Sequence, residues 1–95
     1  MLESMNMNDP VELQVFVEPG CENCQRAVEM ANEIDGDYPR LAVRVVDIAQ
    51  TPVERDDVFA VPTFVLGDRV LSLGIPQRSL LRDEIESLLR ERGLL

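Results

Sequence analysis

The sequence predicts an α/β fold with the element order β-α-β-(short α)-β-β-α, built on a four-stranded mixed sheet with helices on both faces. Short apolar runs of about four to eight residues, typical of strands, alternate with segments whose apolar residues recur at helical spacing. Gly and Pro stand at the boundaries between these segments. At 95 residues the chain is the length of one domain. We expect residues 1–9 to form a flexible leader and residues 10–95 to form the domain.

The first predicted strand and helix meet at the two cysteines of the chain. The alternating apolar side chains of the strand are Val11, Leu13, Val15 and Val17. Phe16 is apolar as well but lies on the opposite side. Pro19 and Gly20 end this strand. A helix is predicted over residues 22–34, stopped near Asp35 and Gly36.

The remaining elements follow from the same patterns. Residues 41–48 are apolar enough for a central or parallel strand. Thr51 and Pro52 are typical of a helix start, here of a short helix. Residues 63–66 and 69–73 form a hairpin around Gly67 and Asp68, a two-residue turn of type II′. The last helix begins between Gln77 and Ser79 and runs to Arg92, and its apolar stripe is Leu81, Ile85, Leu88 and Leu89.

Composition excludes several classes of site. The formal net charge is −9, which argues against nucleic acid and anionic membrane as partners. There is no His and no Lys, so His metal sites, His general bases, phosphate-loop lysines and Schiff bases are excluded. The start of the chain lacks the pattern of a signal peptide, and no apolar run approaches a membrane span of about 18 residues. We therefore expect a cytoplasmic monomer.

The spacing Cys21-x-x-Cys24 is compatible with three uses. As a structural staple it is poor, because a bridge across four residues contributes only roughly 2 kcal/mol by chain entropy. As a metal or cluster site it needs two more ligands, which a dimer or another partner would supply. In a cytosolic protein, the third use is a redox pair. A Cys21 thiolate would lie at a helix N-terminus, where free N–H groups favour negative charge. Cys24 lies on the buried helix stripe, so we assign Cys21 as the nucleophile and Cys24 as the resolving thiol.

Three charged residues near the cysteines are candidates for tuning the thiol pKa. Glu18 and Glu22 flank Cys21, and their negative charge disfavours a thiolate. Glu22 also stabilises a helix by lying in its first turn. Arg26 would support a thiolate, but it lies four residues after Glu22, and an ion pair between the two explains it without a functional role.

The element order and two motifs resemble the thioredoxin-like superfamily over most of residues 11–92. Residues 19–24, Pro-Gly-Cys-Glu-Asn-Cys, resemble the redox loop of glutaredoxins, and residues 60–64, Ala-Val-Pro-Thr-Phe, resemble the cis-proline segment of the superfamily. The chain departs from both named branches. Gly20 stands where thioredoxins have Trp, and Glu18 stands where glutathione-binding glutaredoxins have a basic residue. Residues 72–76 also lack the Gly-Gly motif of that branch.

The resemblance implies a thioredoxin-like fold and a thiol–disulfide oxidoreductase whose only redox group is the cysteine disulfide, with no other cofactor and no metal. It implies a cis bond before Pro62, and a substrate-binding segment made of Val61, Pro62 and Thr63. The expected partners are protein disulfides and an unidentified reductase or small thiol. Two alternatives remain: a thioredoxin-like binding module with little turnover, and cluster or metal carriage by a dimer.

Overall fold

Four strands and two helices make up the described part of the protein. The computed structural model describes residues 11–53, 58 and 60–95. The elements are β1 (Val11–Val17), α1 (Glu22–Asp37), β2 (Leu41–Asp47), β3 (Thr63–Leu66), β4 (Arg69–Leu73) and α2 (Arg78–Glu91). The predicted leader lies outside the described residues. Neither α1 nor α2 is both long and apolar enough to cross a membrane.

The strands form one mixed sheet in the order β2-β1-β3-β4. β1 and β2 are parallel, as a strand–helix–strand unit requires, and their register pairs Val11 with Leu41 and Val17 with Asp47. β3 is antiparallel to both β1 and β4. The predicted mixed four-stranded sheet is therefore confirmed.

One face of the sheet and both helices share the main core. Alternate residues of β1 supply its sheet side, as the sequence pattern predicted, and α1 and α2 cover it. Its helix residues are Cys24, Ala27, Ala31, Ile34, Leu81, Ile85 and Leu89. The apolar stripes of the two helices are thus buried against the same face of the sheet. The sequence predicted helices on both faces, and neither described helix contributes to the cluster on the other face.

The opposite face of the sheet carries a smaller apolar cluster. Phe16, Val46 and Val65 form it, and Val53 and Val58 pack against it from the segment after β2. Residues 51–53 are not helical. The rest of the predicted short helix, including Glu54, lies outside the described residues.

Helix α1 ends later than the sequence predicts. It continues through Gly36 to Asp37, and the N–H of Tyr38 donates to the Ile34 carbonyl at 2.9 Å. Contacts with α2 hold this last turn. The Tyr38 hydroxyl donates to Glu86, and Arg82 pairs with Asp37 and lies over the Tyr38 ring at 5.5 Å. These long-range contacts offset the cost of a helical glycine, about 1 kcal/mol relative to alanine.

The hairpin and the last helix match their predictions. Gly67 has φ of +66° and no described non-glycine residue has positive φ, which fits a type II′ turn with Gly first. A β-bulge lies between Phe64 and Val65. α2 ends before Gly93, whose φ is +71°.

Candidate active site: a disulfide at the N-terminus of a helix

Cys21 is the N-cap residue of α1. Its backbone is extended, with φ of −94° and ψ of 114°, and its side chain takes the place of the usual capping oxygen. The Cys24 N–H, in the first turn of the helix, donates to Cys21 Sγ at 3.1 Å and is shared with the Cys21 carbonyl, also at 3.1 Å. Gly20 directs the chain into this position through a φ of +81°. The local sequence thus places one sulfur at the positive end of the helix dipole.

Cys21 and Cys24 form a disulfide, with their Cα atoms 5.1 Å apart. That separation lies within the usual range for disulfides. The two sulfurs have different surroundings. Cys24 is 4% exposed and belongs to the main core, whereas Cys21 is half-buried and packs against its edge. The first sulfur that an external molecule reaches is therefore that of Cys21, as the helix stripe predicted.

The proline segment, residues 60–62, leads directly into β3. The Val61–Pro62 peptide bond is cis, as the resemblance implied. The Pro62 carbonyl accepts a hydrogen bond from the Gly74 N–H at 2.7 Å, which ties this segment to the end of β4. Thr63 is fully buried and its hydroxyl donates to the Ala60 carbonyl at 2.6 Å. The hydroxyl of Thr63 therefore holds the segment in shape.

Val61 shares the edge of the main core with Cys21. Both are partly buried side chains packed against the same cluster. Within the described residues, the backbone N–H and carbonyl of Val61 make no hydrogen bond. This leaves both groups able to pair with an extended chain.

The three charged residues near the cysteines are all exposed. The predicted ion pair between Glu22 and Arg26 does not form, although both residues lie on α1 at the right spacing. Such exposed pairs stabilise a helix by only about 0.3–0.5 kcal/mol, so solvation of the separate charges competes with them. Glu22 lies in the first turn, where the helix N–H groups favour its charge. The Arg26 guanidinium is left without a partner among the described residues.

A groove along α1 was not foreseen from the sequence. It lies between α1 and the start of α2, and it is lined by Arg26, Glu29, Met30, Glu33, Ile75 and Arg78. The α1 residues in the groove recur at helical spacing, and this spacing was the only sign in the sequence that they share one face of the helix. Their partners across the groove come from about 45 residues later in the chain, and short-range periodicity does not identify such partners.

Among residues 11–53, 58 and 60–95, no three Cys, Asp or Glu side chains converge as a metal site. The cysteine pair alone supplies two sulfur ligands, whereas structural zinc sites use four ligands. A metal held here would need ligands from elsewhere.

The comparisons with known proteins agree with this geometry. The family model of the thioredoxin domain matches residues 11–89. No protein of curated function matches the chain. Among solved structures, oxidised mitochondrial thioredoxin 3 from Saccharomyces cerevisiae is 20% identical, with a TM-score of 0.67 over 88% of this chain and 84% of that one.

Two malarial structures are similar to a comparable degree. A structure described as a malarial protein has a TM-score of 0.70 at 17% identity, over 83% of this chain and 97% of that chain. The thioredoxin of Plasmodium falciparum has a TM-score of 0.65 at 21% identity, over 90% of this chain and 89% of that one. At such identities these neighbours establish the fold. Together with the family match, they show that the chain belongs to the thioredoxin domain family.

Proposed function

We propose that this protein is a thiol–disulfide oxidoreductase that uses the Cys21–Cys24 pair to reduce or exchange disulfides in proteins or in small-thiol substrates. The observation that carries the proposal is the asymmetry of the pair. One sulfur lies at the protein surface on a helix N-terminus, and the other is buried one turn along the same helix. A disulfide that only stabilises the fold does not need one accessible sulfur and one buried sulfur, whereas a two-step exchange does.

The cycle starts from the reduced pair. The Cys21 thiolate attacks one sulfur of the substrate disulfide, and the other substrate sulfur leaves and takes up a proton. Cys24 then loses its proton and attacks Cys21 Sγ. The mixed disulfide breaks, the second substrate thiol leaves, and the Cys21–Cys24 disulfide forms. Two electrons pass from the protein dithiol to the substrate disulfide, which ends as two thiols.

Two features of the site support the first step. The Cys24 N–H already points at Cys21 Sγ from 3.1 Å and would hydrogen-bond a thiolate more strongly than a thiol. The backbone groups of Val61, which have no partner among the described residues, would pair with the substrate chain, while Pro62 and Thr63 hold that segment in place. Glu18, Glu22 and Arg26 would tune the charge around the thiolate.

Turnover tests the proposal. The protein, with excess dithiothreitol, should reduce a peptide disulfide faster than dithiothreitol alone. Cys21→Ser should abolish the acceleration, because the attacking sulfur is lost. Cys24→Ser should reduce it, because only dithiothreitol can then resolve the mixed disulfide. Equal rates with wild type and Cys21→Ser would contradict the proposal.

In the cell, an unidentified reductase or small thiol would regenerate the dithiol, and we propose a cytoplasmic monomer as the working form.

The acidic flanks favour a second candidate, a binding module with little turnover. Glu18 and Glu22 are exposed, and negative charge beside a thiol lowers its thiolate fraction. Alkylation of reduced Cys24→Ser by iodoacetamide separates the two functions. A rate no faster than that of a free thiol, whose pKa is about 8.5, favours the module. A faster rate favours the oxidoreductase.

A further inference from the structure

A groove of about 540 Å³ lies between α1 and the segment that leads into α2. Arg26, two residues after Cys24, lines its near part. Across the groove stands Ile75, which follows Gly74, the residue that is hydrogen-bonded to the Pro62 carbonyl. Each wall is therefore linked to the proposed exchange site, one through α1 and the other through the hydrogen bond of Gly74. A substrate with its disulfide at Cys21 would have neighbouring residues within reach of this groove.

Part of the lining is apolar. Met30 and Ile75 are half-buried and pack against the main core, so they are held in place from below. A side chain laid on them would bury apolar surface at about 25 cal/mol per Å². This part of the groove suits an aliphatic residue.

The charged lining is divided into a paired part and an unpaired part. Arg78 Nε lies 2.9 Å from Glu33 Oε1, so these two charges satisfy each other across the groove. Arg26 has no hydrogen-bonding or ionic partner within the described residues. A guanidinium has five donors in a planar fork that matches a carboxylate. Glu29 also lines the groove, but it lies three residues further along α1, about 4.5 Å more distant along the helix axis.

We propose that this groove selects substrates in which the residues next to the disulfide include an aliphatic side chain and a carboxylate. The aliphatic group packs on Met30 and Ile75, and the carboxylate binds Arg26. Glu29 weakens this attraction, and so do Glu18 and Glu22 beside Cys21, so the preference for an acid is small. This inference rests on the proposed oxidoreductase function and adds a substrate class to it.

Single-turnover exchange with three peptides tests the proposal. Each peptide carries one Cys as a mixed disulfide with thionitrobenzoate, next to Leu-Glu, Leu-Gln or Ser-Glu. The reduced protein releases thionitrobenzoate, and its absorbance gives the rate. We expect the Leu-Glu peptide to react about threefold faster than either of the others, the size of one exposed charge contact or one partly buried side chain. The preference for Glu over Gln should weaken as salt is added.

Variants assign the effect to the groove. Arg26→Gln should make the Leu-Glu and Leu-Gln rates equal, and Glu29→Gln should widen the difference. Arg40→Gln is the matched control, because Arg40 is exposed and follows the far end of α1, roughly 20 Å away along the helix. It should change neither rate.

The outcomes separate this inference from the proposed function. If no peptide releases thionitrobenzoate faster than it does with a free thiol, the oxidoreductase function fails and the inference fails with it. If all three peptides react rapidly at equal rates, the function stands and the groove proposal is wrong. The same conclusion follows if Arg26→Gln keeps the full preference for the acidic peptide.

Discussion

The Tyr38 hydroxyl donates a hydrogen bond of 2.5 Å to Glu86 Oε2, and so joins the end of α1 to the middle of α2. Tyr38 is 8% exposed, and Arg82 contacts both its ring and its hydroxyl. Arg82 also pairs with Asp37, so the last turn of α1 is held by two side chains of α2. The active disulfide lies at the other end of α1. The helix is therefore fixed at the end remote from the chemistry.

Removing this hydrogen bond should lower stability. Tyr38→Phe keeps the ring but leaves the Glu86 carboxylate without its donor, at a cost of about 1–2 kcal/mol. Urea unfolding of the oxidised protein at neutral pH measures the loss. Ser87→Ala is a control on the same helix, because Ser87 is exposed, and it should change the free energy of unfolding little. No difference between Tyr38→Phe and wild type would show that the hydrogen bond contributes nothing net.

The same residue should set the alkaline limit of stability. Burial, followed by the hydrogen bond to Glu86, raises the pKa of Tyr38 above its usual value. The chain has no Lys, no His and one Tyr, and both cysteines are in the disulfide, so Tyr38 is the one side chain that titrates between about pH 9 and 12.

The folded state thus binds the Tyr38 proton more tightly than the unfolded state does. The stabilisation is full below about pH 10, the unfolded value, and is lost as pH rises through the raised folded value. Urea unfolding across this range should show stability falling in wild type and staying flat in Tyr38→Phe. A parallel decline in both proteins would contradict the assignment.

Two adjacent leucines of α2 should respond very differently to truncation. Leu81 is fully buried in the main core, whereas Leu80 is 51% exposed. Leu81→Ala should cost about 2–5 kcal/mol through lost burial and the cavity left behind. Leu80→Ala should cost less than about 1 kcal/mol, because most of its surface is already in water. Urea unfolding of both variants measures this, and similar losses would mean that α2 packs through another face.

Two glycines should respond to alanine with opposite signs. Gly20 has φ of +81° although nothing lies within 4 Å of an added Cβ, so the cost of Gly20→Ala is backbone strain of about 1–2 kcal/mol. Gly36 lies within α1 and also has open space around it. Gly36→Ala should stabilise by about 0.5–1 kcal/mol. Thermal unfolding shows whether each variant is more or less stable than wild type. A destabilised Gly36→Ala would contradict the extension of α1 to Asp37.

Removing acidic charge near Cys21 should speed its reactions. Glu18→Gln and Glu22→Gln, each in the Cys24→Ser background, should raise the rate of alkylation by iodoacetamide about twofold at low salt, because repulsion of the thiolate is removed. Glu91→Gln, an exposed change at the end of α2, is the control and should have no effect. Unchanged rates in both test variants would mean that neither Glu18 nor Glu22 tunes the thiol.

Features that depend on local sequence were predicted well. The strand pattern of β1, the hairpin at Gly67 and the apolar stripe of α2 follow from side-chain alternation and turn chemistry, and the structure confirms them. The burial of Cys24 also followed from helical spacing. These features depend only on interactions between residues close in sequence, or on whether a side chain faces the core or the solvent.

Features that depend on distant partners were missed or needed the family resemblance. Gly36 signals a helix end locally, but the contacts of Tyr38 with α2 carry the helix past it. The groove beside Arg26 requires Ile75 and Arg78 from the other wall. The cis bond before Pro62 came from the resemblance, because local physics favours trans.

Trapping of the mixed disulfide tests the proposed cycle most directly. Reduced Cys24→Ser is mixed with a peptide disulfide, and the protein is analysed by intact mass and by peptide mapping. We expect one peptide attached through a disulfide to Cys21, since the resolving sulfur is absent and the adduct cannot break down internally. Cys21→Ser should react far more slowly, because Cys24 is buried. An adduct that forms equally fast on Cys24, or no adduct on Cys21, would contradict the account.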